Sequence, residues 1–127
     1  NLTWNYNAKD TGIGALKLLK RLYIWHHNPK SRSLADIEIP ESVEELQLNW
    51  INADSLQDLP PLTNLRRFEI HRSRNLTSIA EIPRIAPNLE YVVVHTCPRV
   101  ADGEAVLRQM PKLEHGYVQG VLARDLK

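Results

Sequence analysis

The chain has 127 residues, 43% hydrophobic and 24% charged, with a formal net charge of +1 and one cysteine, Cys97. A balance this near neutral argues against a dedicated nucleic-acid or membrane-surface binder, since either concentrates basic excess in runs, and no stretch stays apolar long enough to span a bilayer. A lone cysteine closes no intrachain disulfide, so either a reducing compartment or a piece cut free of disulfide-rich ends is expected, and the length suits one compact domain or a stack of about five or six short units.

Residues 1–18 read as the tail of an irregular unit and a return segment, with a turn at Gly12 and Gly14 and a short helical passage opening at Ala15. The first clear strand, "LKRLYIWHH", sends Leu22 and Ile24 to one face and Arg21, Tyr23 and Trp25 to the other. Its return segment is broken at Pro29 and offers Leu34, Ile37 and Ile39 to an interior. A second strand, "VEELQLNW", places Leu46 and Leu48 inward and Glu45, Gln47 and Asn49 outward. The next return carries Leu56, Leu59 and Leu62, and Pro60 and Pro61 forbid a long helix there.

From Leu65 to Asp102 one pattern is written twice. Leu65, Phe68, Ile70, Ser73 and Leu76 recur 24 residues later as Leu89, Val92, Val94, Cys97 and Val100. The return between the copies, with Ile79, Ile82 and Ile85 interrupted by Pro83 and Pro87, predicts turns or single helical turns. After the second copy, "DGEAVLRQMPK" predicts a helix capped by Asp102 and stopped by Pro111. A last strand follows, with Leu113, Gly116 and Val118 in frame.

The fourth position of the strand pattern LxxLxL thus falls at 22, 46, 68, 92 and 116, at spacings of 22 to 24 residues. In parallel strands held in that frame, Lys20, Glu44, Arg66, Glu90 and Glu114 become lateral neighbours, as do Arg21, Glu45, Arg67, Tyr91 and His115. Opposite charges face each other through the first three or four strands, and a slip of one residue would bury them and expose the leucines.

A strand pattern recurring at this period resembles the leucine-rich repeat family. The fourth unit, with Cys97, Val100 and Asp102, is similar to the cysteine-containing repeats of intracellular proteins. The wording "PNLEYVVVHTCPRV" resembles repeat regions of plant nucleotide-binding immune receptors and of bacterial cytoplasmic leucine-rich repeat proteins. His27, Ile51 and Val121 stand where the fourth unit has Cys97, and the spacing departs from the roughly 20-residue repeat of secreted bacterial effector ligases, so the subfamily stays open.

The resemblance implies an α/β fold: a right-handed leucine-rich repeat solenoid with a parallel sheet on its concave face. The convex side is expected to be irregular or 3-10, with one short helix near 103–110. Residues 1–127 would form a single domain of about five repeats and a partial N-terminal one. The chain opens on Asn1, and neither end has a polar cap, so a fragment of a longer protein is expected.

A face of this kind recognises another macromolecule. The expectation is a non-enzymatic, cytoplasmic protein-binding module with a possible role in immunity left open, using no cofactor or metal and contacting neither nucleic acid nor membrane. The alternative is a structural or autoregulatory segment that packs on other domains of a larger immune-type receptor or a bacterial immunity or effector protein.

Outward positions supply the candidate contacts. Tyr, Trp and Arg dominate interface hot spots because they bring rigid contact area with a polar handle, so Tyr23, Trp25, Trp50, Tyr91 and Tyr117 are the expected anchors. Gln47, Glu69, His71 and His95 complete the partner-binding set. Trp25 and Trp50 would equally suit covering the rim of the core. His71 and His95 should be lateral neighbours near Glu69 and His115, but zinc needs a third or fourth ligand in fixed geometry and none is evident. Cys97 should point inward. Gly12-Ile13-Gly14 is too little for a phosphate loop, and the acceptor patterns at Asn1 and Asn75 are read as chance.

Overall fold

The strands pair residue for residue in the frame set by the repeated leucines. The computed structural model describes residues 2–5, 18–27, 34, 37–118 and 121–122. The turn expected at Gly12 and Gly14, the start of the passage at Ala15 and the break at Pro29 lie outside them.

Seven strands form one sheet in sequence order: β1 (Leu2–Asn5), β2 (Arg21–Trp25), β3 (Glu45–Asn49), β4 (Arg67–His71), β5 (Tyr91–His95), β6 (His115–Val118) and β7 (Val121–Leu122). Pairing is parallel from β1 to β6, with Leu22 opposite Leu46, Leu46 opposite Phe68, Phe68 opposite Val92 and Val92 opposite Gly116. At the far edge it reverses, since β7 runs antiparallel to β6. The parallel frame is further secured where each strand begins. Lys20 O accepts from both Glu44 N and Glu45 N, Glu44 O from Arg66 N and Arg67 N, Arg66 O from Glu90 N and Tyr91 N, and Glu90 O from Glu114 N and His115 N.

Behind the sheet lies a single apolar layer. Leu22, Leu46, Phe68 and Val92 form one buried column and Ile24, Leu48, Ile70 and Val94 the next. The return segments close it with Leu34, Leu56, Leu62, Ile79, Ile82, Ile85 and Leu107. Each return buries its apolar side only against its neighbours, so the columns stabilise the units jointly. Asparagines knit the turns together: Asn64 donates to Glu41 O at 3.0 Å and Asn88, at the same place one unit on, to Thr63 O at 2.9 Å.

The expected helix is present as α2 (Gly103–Arg108), and a second, one-turn helix, α1 (Ile82–Ile85), precedes it. Pro83 fits in the first turn of α1, where an amide N–H has no helical partner to lose. Asp102 occupies the N-cap position of α2 but makes no capping bond. Its carboxylate accepts instead from Ser78 Oγ and, at 3.0 Å, from Ile79 N. The expectation of a side-chain cap is corrected accordingly: the unpaired donors of the preceding return claim the carboxylate first. Among the described residues no helix is long and apolar enough to cross a membrane.

Candidate functional site

Alternation along each strand turns every second side chain away from the apolar layer, and the register then sorts these outward residues into rows that cross the strands. The first row is Arg21, Glu45, Arg67, Tyr91 and His115. The second is Tyr23, Gln47, Glu69, Val93 and Tyr117, and the third is Trp25, Asn49, His71 and His95. A fourth lies just past the strand ends, where His26, Trp50, Arg72 and Thr96 all adopt positive φ, at 62°, 58°, 55° and 57°. Eight of the nine candidate contacts fall in the first three rows, and Trp50 falls in the fourth.

The left-handed corners have a backbone purpose. They let the ladder run one step past the strands, with His26 N donating to Asn49 O, Trp50 N to His71 O and Arg72 N to His95 O. For a residue with a Cβ this conformation costs roughly 1–2 kcal/mol, which glycine would avoid. All four positions nonetheless carry side chains.

Rings and guanidinium groups stack along the rows. In the first, the Arg67 guanidinium lies 3.9 Å from the Tyr91 ring centre, and Tyr91 stacks on His115 at 4.5 Å and 15°. In the third, His71 and His95 are 5.7 Å apart, and His95 reaches Tyr117 of the neighbouring row at 5.9 Å. In the fourth, His26 stacks on Trp50 at 6.0 Å and 21°, while Arg72 approaches the other side of that indole at 5.2 Å. Trp25 tilts against His26 at 6.1 Å. Aromatic pairs at such separations contribute about 0.5–1.5 kcal/mol each beyond their area. Trp50 stays 37% exposed and Trp25 half-buried, so both sit on the outward face instead of sealing the core.

Charge is only partly arranged as expected. Lys20 and Glu44 pair at 3.1 Å and Arg21 and Glu45 at 3.4 Å, as lateral neighbours should. Arg67 departs from this order. Its Nε donates to Glu69 Oε2 at 3.1 Å within its own strand, because the adjacent Tyr91 ring holds the guanidinium along the face. Burial alone would lower the Arg67 pKa, but the hydrogen bond and charge of Glu69 outweigh it and raise it. Glu69 Oε1 also accepts from His71 Nε2 at 3.1 Å; a carboxylate can only accept, so that nitrogen carries the proton.

Two outward positions are covered. Val93 is 8% and Asn49 5% exposed, each lying within a row flanked by longer side chains. Asn49 Nδ2 has no hydrogen-bond partner. Cys97 points inward at 0% exposure, its Sγ donating toward His95 O at 3.5 Å. Burial raises its pKa, against a smaller opposing influence of a backbone hydrogen bond from Ser73. No group of three or more His, Cys, Asp or Glu suited to a metal occurs among the described residues.

No family model, curated protein or solved structure matches the chain. Its chemistry must be read from these side chains. Arg67, Arg72 and His26 belong to the stacked face although none was among the expected contacts. The signal available for Arg72 and His26 was their place in the frame, immediately after the last strand residue and level with Trp50.

Proposed function

We propose that the chain is a leucine-rich repeat recognition module of the cysteine-containing, intracellular type, which binds a protein partner through the outward face of its sheet. On this reading the face is the concave side of a solenoid, and binding involves no catalysis. The observation that carries it is the set of laterally stacked rings and guanidinium groups on that face. They hold large side chains in fixed orientation before any partner arrives, which lowers the entropy lost on association. Spacing of 22 to 24 residues and the buried leucine columns support the repeat reading.

The test compares the intact chain with Trp25→Ala and Tyr117→Ala in quantitative capture from cell extract. A protein held by the wild type and lost from both variants, each still folding cooperatively with a melting temperature lowered by no more than about 4–8 °C, is the expected result. Equal capture by all three would refute a role for this face.

A further inference from the structure

We propose, as a step that rests on the recognition reading above, that the corner around Trp50 seats an acidic segment of the protein partner. A carboxylate side chain would lie between Arg72 and Arg74, with the adjoining apolar or aromatic side chain in the cleft beside Trp50.

Two depressions meet at this corner and share Trp50 and Arg72. One, of about 410 Å³, lies on the sheet between Trp25, Asn49, Trp50 and His71; the other, of about 510 Å³, lies beyond the strand ends beside His26 and Arg74. Among the described residues neither is lined by a carboxylate. Arg72 and Arg74 are exposed, and neither has an ion-pair partner among the described residues, whereas Lys20, Arg21, Arg67 and Arg84 each meet a glutamate. On a chain of net charge +1, this is a local positive site with no neutralising carboxylate among the described residues that line it.

Trp50 supplies the apolar wall. Its indole is held between His26 and Arg72 at a backbone angle glycine would adopt more easily, which fits a side chain kept for contact. A peptide suits the corner better than a nucleic acid. A phosphate chain needs cations along its length, but here two guanidinium groups are confined to one end, and Glu45 and Glu69 lie further along the same face.

The experiment selects a displayed library of random dodecapeptides on the intact chain and measures the enriched peptides by fluorescence anisotropy. The enriched sequences should carry Asp or Glu beside a large apolar residue. Their affinity should fall at least about tenfold on Arg72→Glu combined with Arg74→Glu, and also on replacing the peptide's acids by amides. Arg72→Glu also gives up the contact with the Trp50 indole, so Arg74→Glu alone is the control: Arg74 is exposed with no ion pair among the described residues, and this variant should melt as the wild type does and still bind the acidic peptides more weakly. Peptides that lack acids, or that survive the double reversal yet are lost on Tyr117→Ala, overturn the acidic-segment site and leave the recognition reading standing. No enrichment over an unrelated bait removes both, and tighter binding of labelled oligodeoxythymidine than of any selected peptide overturns the choice of partner.

Discussion

Thr96→Gly should leave the chain as stable as it was, or stabilise it slightly. Thr96 has φ of 57°, and a β-branched residue is the least suited of the common types to that region. Glycine there relieves roughly 1–2 kcal/mol of backbone strain. Against this stand about 0.4–1 kcal/mol for the greater freedom of glycine in the unfolded chain and about 0.5 kcal/mol for the exposed hydrogen bond between Thr96 Oγ1 and His95 Nδ1. The net is a gain of about 0.3 kcal/mol at the centre of these ranges. Thr63→Gly is the control: Thr63 is equally exposed and its φ is negative, so the unfolded-state term acts alone and stability falls by up to about 1 kcal/mol. Urea unfolding separates the two variants by about 0.5 M in midpoint at a slope of about 2 kcal/mol per M. A loss in Thr96→Gly equal to that in Thr63→Gly would show that the corner is unstrained and would remove strain as a reason to think these side chains are kept for contact.

Three other variants test the core and its edges. Leu46→Ala, at a position 2% exposed between Leu22 and Phe68 and beside a gap of only about 10 Å³, should cost about 2–5 kcal/mol in urea unfolding. A Cβ on Gly103 would stand 2.7 Å from Val118 Cγ1, so Gly103→Ala should destabilise by about 1–3 kcal/mol, and Val118→Ala in the same chain should recover part of that loss in a double-mutant cycle. The raised pKa of Cys97 means that folding favours the neutral thiol. That contribution is complete below about pH 8.5, the ordinary thiol value, and is lost as pH climbs through it toward the higher folded value. Iodoacetamide should therefore label the folded chain at least about 100-fold more slowly than the chain in urea, and Cys97→Ser should abolish the alkaline loss while retaining the fold, because Ser73 occupies the equivalent place one unit earlier and accepts there from Ile51 N at 3.2 Å.

Strand register was legible in the sequence because a slip of one residue exchanges Leu46 and Leu48 for Glu45 and Gln47, and alignment of the whole pattern at 22 to 24 residues chooses among the frames that keep the leucines inward. The outward rows follow from that frame, and with them the neighbourhood of His71 and His95. Three features were not legible. Positive φ at His26, Trp50, Arg72 and Thr96 is invisible to composition, because none is Gly, Asn or Asp, the residues that signal such corners. Asp102 has the right residue type and position for a cap, but its bond to Ser78 depends on the preceding return reaching it in space. Arg67 was placed opposite Glu45 by register alone. Glu69, two residues away on its own strand, competes for the same guanidinium group, and only the position of the Tyr91 ring decides between them.

The stacked rows complicate any mutational map of the face, because the rings that would meet a partner also hold one another. Tyr91 contacts Arg67 on one side and His115 on the other, so its removal costs stability as well as contact area, and a lost affinity there has two causes. Among the described residues Tyr117 has a ring contact with His95 alone, and at 5.9 Å. Arg74 gives up no ion pair among the described residues, whereas Arg72 also supports the Trp50 indole. Changes at Tyr117 and Arg74 therefore report on recognition with little admixture of folding, whereas changes at Tyr91, Glu69 or Arg72 report on both. Arg66, Arg99, Arg108 and Lys112 are likewise exposed and without an ion pair among the described residues, but of these cations only Arg72 and Arg74 line the depressions beside Trp50. Within that corner Arg74 is the position at which a loss of binding separates most cleanly from a loss of stability.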